Sequence, residues 1–284
     1  MWFLLKADWK QFLLYSRYEI VEFSKKITNR RISLWLLLIF STLMILIGHN
    51  SIEVIDRDEA RFAQASKQMV QTSDIITVKF QDDLRAKKPI GIYWLQSTSA
   101  LLFGSEEISS YRFPSLLGFI LSVVISYLFV KNLWSDSRHL QQVVSASLLA
   151  SSFIVLAESH LAKTDSILLS LIIAQQFAIW LIYKNRLKQK PTSAKRWVWV
   201  FMALAILVKG PIAPLLAVVT LLGLIVIERD WRWLGQLHFL SGLSIISVIC
   251  LPWVFAVSIA TDGIFLSQAI QQDFFPKLTS GQES

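Results

Sequence analysis

A chain of 284 residues, 54% of them hydrophobic and only 17% charged, does not read as a soluble domain, where about a quarter of residues are charged. With 10 Gly, 7 Pro and a lone Cys250, collagen-like, disordered and disulfide-stapled classes are excluded as well. The net charge of +8 and mean hydropathy of +0.51 point to basic loops beside a membrane rather than to nucleic acid, so a multi-span all-α membrane protein is expected.

In chain order, residues 1–31 interleave Leu5, Trp9, Phe12 and Leu13 with basic residues at helical spacing. They read as an amphipathic segment on the cytoplasmic face, not as a cleaved leader. Residues 32–284 read as one transmembrane domain. Its first span is 32–48, followed by a long loop, 49–112. Inside that loop, Phe62, Ala65 and Met69 recur on one helical face, predicting an interfacial helix over 57–72. Asp56 and Glu59 have the spacing of a capping box at its start. A second amphipathic stretch, 90–95, follows Lys87-Lys88-Pro89.

Further spans are predicted over 113–130, 140–157 and 166–183. Residues 197–227 read as a tight helical hairpin with Lys209-Gly210-Pro211 at its tip, because Pro211 cannot continue a helix unkinked. One long kinked span is the alternative. The last span is 234–261, for about seven in all. The basic residues of 1–31 and of the 183–197 loop, with Lys131, Arg138, Arg229 and Arg232, put the N-terminus and these loops in the cytoplasm. Trp134, Trp180, Trp197, Trp199, Trp231 and Trp233 then form an aromatic belt at cytoplasmic span ends.

The spans are clean of charge, and the outward-facing polar residues gather at a few points: Asp56-Arg57-Asp58-Glu59-Ala60-Arg61-Phe62, Arg85-Ala86-Lys87-Lys88-Pro89, Lys163-Thr164-Asp165 and Lys209-Gly210-Pro211. All fall on the outer face in the seven-span reading. Carboxylates and cations at a membrane boundary suit a phosphorylated or negatively charged lipid. Each point also has a plainer reading. Asp58 can complement a helix dipole, Lys87 and Lys88 can snorkel to headgroups, and Thr164-Asp165 can cap a helix. Lys209 is harder to dismiss, since a lysine between two apolar helices is costly unless it meets water, an anion or a carboxylate, and lysine binds phosphate as a point charge. Charges at span ends and the absence of a repeat argue against a transporter. No zinc-spaced ligand set, Gly-rich phosphate loop or serine-nucleophile motif is present.

Taken in order, Asp58-Glu59-Ala60-Arg61-Phe62-Ala63, Lys88-Pro89 with Tyr93-Trp94, Thr164-Asp165 and Lys209-Gly210-Pro211 resemble the GT-C membrane glycosyltransferases that use a polyprenyl-phosphate sugar donor. That family includes the aminoarabinose transferases of lipid A and the protein O-mannosyltransferases. The resemblance covers roughly residues 30–280 and implies a GT-C-type multi-span bundle. It implies that Asp58 is the catalytic base or orients the acceptor, that Arg61, Lys88 and Lys209 bind the donor phosphate, and that Asp165 is an additional acid of the site. The implied reaction is inverting transfer to an outer-face acceptor, whether a lipid A-like glycolipid, another envelope glycan or a protein, in the bacterial inner membrane with the site facing the periplasm. No cofactor is implied. Where the aminoarabinose transferase has an acidic metal ligand before the Lys-Pro pair, this chain has Lys87, so no metal is expected there. Family members are longer, which leads to the expectation of an N-terminal catalytic half with a C-terminal partner fragment. The alternative is a non-catalytic fragment that binds polyprenyl phosphate or a partner half.

Overall fold

The computed structural model describes residues 30–133, 139–187 and 193–274. The expected amphipathic segment up to residue 29, Trp134, Arg138, Lys188, Lys190 and the end of the chain after residue 274 lie outside the described residues.

Apart from one short hairpin, the regular elements of the described residues are all helical. Helix α1 spans Arg30–Leu46 and α2 Arg57–Thr72. Strands β1 (Lys79–Phe80) and β2 (Asp83–Leu84) pair antiparallel, Lys79 opposite Leu84 and Phe80 opposite Asp83. Then come α3 (Gly91–Phe103), α4 (Ile108–Leu133), α5 (His139–Ala150), α6 (Phe153–Ser159) and α7 (Asp165–Lys184). They are followed by α8 (Ala194–Lys209), α9 (Ile212–Glu228), a 3₁₀ turn (Arg232–Leu237), α10 (Phe239–Ala260) and α11 (Ile264–Gln268), with Ala269–Phe274 continuing as a π turn.

A helix lies on every expected span. By length and composition, three stretches among the described residues can cross a bilayer: Ile108–Leu133, Asp165–Lys184 and Arg232–Ala260. The pair α5 and α6 makes a fourth if counted as one broken span, while Ser33–Leu46 and Ile212–Glu228 are apolar but shorter. Trp35, Leu43, Leu215, Val226, Leu240, Val248 and Ile259 point outward. Apolar side chains cover so much of the exterior because the solvent is lipid.

Two boundaries depart from the expectation. The span expected over 113–130 begins earlier, at Ile108, and carries Arg112 inside it, fully buried. The span expected over 140–157 is broken, since α5 and α6 meet at an angle of 58°. At the break the Ser151 hydroxyl donates to the Ser147 carbonyl at 2.8 Å, and Ser152 turns extended (φ −64°, ψ 121°). The small β hairpin was not expected.

The helical hairpin forms as expected. Lys209, ending α8, lies against Asp165, which begins α7. Glu228, ending α9, lies against Tyr183 and Arg186 at the other end of α7. Helices α8 and α9 are therefore antiparallel arms, which rules out one long kinked span. Gly210 takes φ +79° at the tip, a conformation glycine adopts freely.

Candidate active site

The site is assembled from the first turn of α2, the segment before α3, the start of α7 and the end of α8. Asp56 caps α2, its Oδ1 accepting from the Glu59 amide at 2.8 Å. The reciprocal half of the expected capping box is missing. Glu59 turns inward and pairs with Arg112, Oε1 accepting from Nε at 2.7 Å and Oε2 from Nη2 at 3.1 Å, both side chains 0% exposed. Glu59 Oε1 also accepts from the Ala162 amide at 2.8 Å. Arg112 Nη1 donates to the carbonyls of His49 and Ile52 at 2.8 and 2.9 Å. A buried ion pair survives only when its remaining donors and acceptors are satisfied. Here that requirement ties the end of the α1 loop, α2, α4 and the turn before α7 into one block.

With Glu59 engaged inside, Asp58 and Arg61 stay on the outer face of the same turn. Arg61 Nη1 lies 3.5 Å from Asp58 Oδ1, the side chains 27% and 51% exposed. Asp56 reaches across to Lys163, Oδ2 to Nζ 2.8 Å, and Lys163 also lies 3.7 Å from Glu158. Burial pushes the Asp56 carboxyl upward, but hydrogen bonds from Lys163 and from the Glu59 amide outweigh it and hold the group below its ordinary range. Burial pulls Lys163 downward, and the hydrogen bond to Asp56 outweighs that and raises it.

The second wall is held by Arg85 and Gly91. Arg85 is buried, donates from Nε to the Tyr93 hydroxyl at 3.1 Å and lies 5.4 Å over the Phe62 ring. Burial pushes Tyr93 up to about 12, with Arg85 opposing and the Asp58 charge adding to the rise. A Cβ on Gly91 would stand 2.7 Å from the Leu207 carbonyl oxygen. Only glycine lets the start of α3 rest on the last turn of α8. Lys87 and Lys88, in the segment that leads into this contact, are half-buried.

The third wall is the start of α7. Lys209 Nζ donates to Asp165 Oδ1 at 2.5 Å. Thr164 occupies the cap position but makes no side-chain cap; its hydroxyl donates to Asp165 Oδ2 at 3.4 Å instead. Gln96 of α3 fastens the walls together, accepting from Ser66 at 2.7 Å and donating to the Ala162 carbonyl at 2.9 Å.

All five sequence-predicted residues thus lie at one end of the bundle. Lys209 and Asp165 are paired directly, as are Asp58 and Arg61, and Lys88 lies in the segment that leads into the contact of Gly91 with the last turn of α8. Lys163 is bonded to Asp56 and feels the Asp165 charge, which sets the residue capping α2 near the start of α7. The Glu59–Arg112 pair, the Asp56–Lys163 pair and the Arg85–Tyr93 contact were not anticipated. The one available signal was Arg112, a charge directly before an apolar run. The residues do not suit a metal beside the Lys-Pro pair. Lys87 offers an ammonium there, and an ammonium cannot replace a carboxylate ligand.

A family model described as dolichyl-phosphate-mannose-protein mannosyltransferase matches residues 87–255. An undecaprenyl phosphate-alpha-4-amino-4-deoxy-L-arabinose arabinosyl transferase of Pseudomonas aeruginosa (strain LESB58) is 30% identical over 236 residues, 81% of this chain and 41% of that protein. A transferase of the same description, numbered 2, from Proteus mirabilis (strain HI4320) is 28% identical over 227 residues, 78% of this chain and 40% of that protein. The chain therefore spans less than half the length of these relatives. Among solved structures, ArnT from Cupriavidus metallidurans in the apo state superposes with a TM-score of 0.74 at 20% identity, covering 87% of this chain and 47% of that one. Its form bound to undecaprenyl phosphate gives 0.73 at 19% identity, covering 85% and 44%. The fold is the GT-C membrane fold.

Proposed function

We infer the activity from one premise: the chain belongs to the dolichyl-phosphate-mannose-protein mannosyltransferase family. It is the membrane glycosyltransferase part, or a working portion of it, that moves a sugar from a polyprenyl-phosphate donor to an acceptor outside the inner membrane of a bacterium. The relatives' descriptions favour undecaprenyl phosphate as the carrier and 4-amino-4-deoxy-L-arabinose as the sugar, and a lipid A-like glycolipid is the acceptor that the resemblance of the motifs implies. The observation that carries this reading is the pairing of Asp58 with Arg61 and of Asp165 with Lys209, with Lys88 in the segment that leads into the contact of Gly91 with the last turn of α8.

The chemistry follows from charge. The acceptor oxygen attacks the anomeric carbon as the bond from that carbon to the phosphate oxygen breaks, with inversion. The carrier phosphate leaves with the electron pair and gains negative charge. Arg61, Lys88 and Lys209 lie where cations can stabilise it. Asp58, exposed and one turn from Arg61, takes the acceptor proton. Asp165 orients Lys209 through the ion pair. With the first predicted span entering from the cytoplasm, this end faces the periplasm.

Membranes containing the chain, alone and co-expressed with the remaining C-terminal part of a relative, test the reading. They are supplied with undecaprenyl-phosphate-linked aminoarabinose and lipid A, and product is read by mass spectrometry. Appearance of modified lipid A supports the assignment. Binding of undecaprenyl phosphate without turnover in either format refutes it and leaves a non-catalytic lipid binder.

A further inference from the structure

At the end of the bundle opposite Lys209, α7, α9 and the 3₁₀ turn enclose a cavity of ≈ 310 Å³ lined by Arg186, Glu228, Asp230, Arg232, Trp233 and Gln236. Half of this lining is already satisfied. Arg186 Nη2 pairs with Glu228 Oε2 at 3.0 Å and stacks 3.9 Å over the Tyr183 ring, while the Tyr183 hydroxyl donates to Glu228. Gln236 donates to the Arg186 carbonyl at 2.9 Å. These groups form a fixed wall.

The other half has capacity left over. Asp230 Oδ1 accepts from the Arg232 amide at 2.9 Å, and its second oxygen accepts no hydrogen bond among the described residues. The Arg232 guanidinium is exposed and holds no ion pair among the described residues. Trp233 is only 5% exposed, packed edge-on to Tyr183, yet its indole N–H has no acceptor among the described residues. A buried donor without an acceptor is expensive, and an anionic oxygen would relieve it. The lining thus holds an exposed cation, a buried neutral donor and a carboxylate, with no net charge. Its rim carries exposed Leu187 and Trp231, 86% and 69% exposed, where acyl chains would lie.

We propose that this cavity binds the phosphoethanolamine headgroup of a membrane phospholipid in the leaflet at this end of the bundle. The phosphate sits between Arg232 and the Trp233 N–H, and the ammonium donates to Asp230. A choline headgroup has no N–H for Asp230. A glycerol headgroup leaves an unbalanced anion facing two carboxylates.

Purified protein is delipidated in detergent and exposed to equimolar phosphatidylethanolamine, phosphatidylglycerol and phosphatidylcholine, and bound lipid is read by native mass spectrometry. Selective retention of phosphatidylethanolamine is expected. Arg232→Gln and Asp230→Asn each reduce it about tenfold, the weight of one charge-assisted hydrogen bond. Trp233→Phe preserves the packing on Tyr183 and removes only the donor, so a folded variant with weakened retention separates recognition from misfolding. Equal retention of the three lipids, or undiminished retention in all three variants, overturns the proposal. So does displacement by soluble O-phosphoethanolamine without any preference among the lipids, which would assign the cavity to a soluble ligand.

Discussion

Lys209 Nζ lies 2.5 Å from Asp165 Oδ1, joining the last residue of α8 to the first residue of α7. The lysine is 22% and the aspartate 38% exposed, so the pair stands at the rim, where an ion pair contributes only about 0–1 kcal/mol to stability. Lys209→Met should therefore barely shift the unfolding temperature. If Lys209 stabilises a departing phosphate, the same variant should lose about 10²-fold in kcat/KM, with Lys209→Arg recovering part of it. Steady-state transfer and thermal unfolding on one preparation of each variant check both halves.

The Glu59–Arg112 pair should behave in the opposite way. Both side chains are buried, and breaking one partner leaves an uncompensated charge, a loss of about 3–5 kcal/mol. Glu59→Gln and Arg112→Met should each lower the unfolding temperature sharply or abolish accumulation. Replacing both by apolar residues should not restore stability, because the Ala162 amide and the His49 and Ile52 carbonyls would then lose their partners. Unfolding curves of the two single variants and the double variant decide this.

Much of this arrangement was legible in the sequence, and the exceptions have a common cause. Uncharged runs of span length mark the helices, and Lys209-Gly210-Pro211 marks the hairpin tip because proline stops the helix and glycine takes the left-handed turn. Arg112 misleads because a charge ordinarily ends a membrane run, whereas here it is answered by Glu59, 53 positions earlier. No periodicity reports a pairing at that distance. The same holds for Asp56 and Lys163, brought together by the folding of α2 onto the start of α7. The break at Ser151-Ser152 carries neither glycine nor proline, so local chemistry left no mark of it.

Acid should loosen the tether between Asp56 and Lys163. The Asp56 carboxyl is held below its ordinary range, so its contribution to stability is present above the unfolded-state value and is lost as pH falls through the folded one. Lys163 is raised, so its contribution is present below its unfolded-state value and fades only at strongly alkaline pH. Between neutral pH and the acid range, wild type should lose more thermal stability than Asp56→Asn. Parallel pH series of unfolding temperature test this, and identical slopes would count against it.

Gly91 offers a test of placement without touching a charge. A side chain there collides with the Leu207 backbone, and overpacking of this kind costs about 1–3 kcal/mol. Gly91→Val should displace the start of α3, and with it the Lys87-Lys88-Pro89 segment, from the last turn of α8. Binding of undecaprenyl phosphate should weaken while helical content, read by circular dichroism, is unchanged.

The central claim is that Asp58 takes the acceptor proton at a site whose cations hold the carrier phosphate. Asp58→Asn is the most direct test, because the residue is 51% exposed and its ion pair is with Arg61, so the fold does not depend on it. Transfer and undecaprenyl phosphate binding are measured on the same purified variant. The account predicts binding preserved and transfer reduced by about 10²–10⁴-fold, the usual contribution of a positioned base. Transfer at the wild-type rate would contradict it.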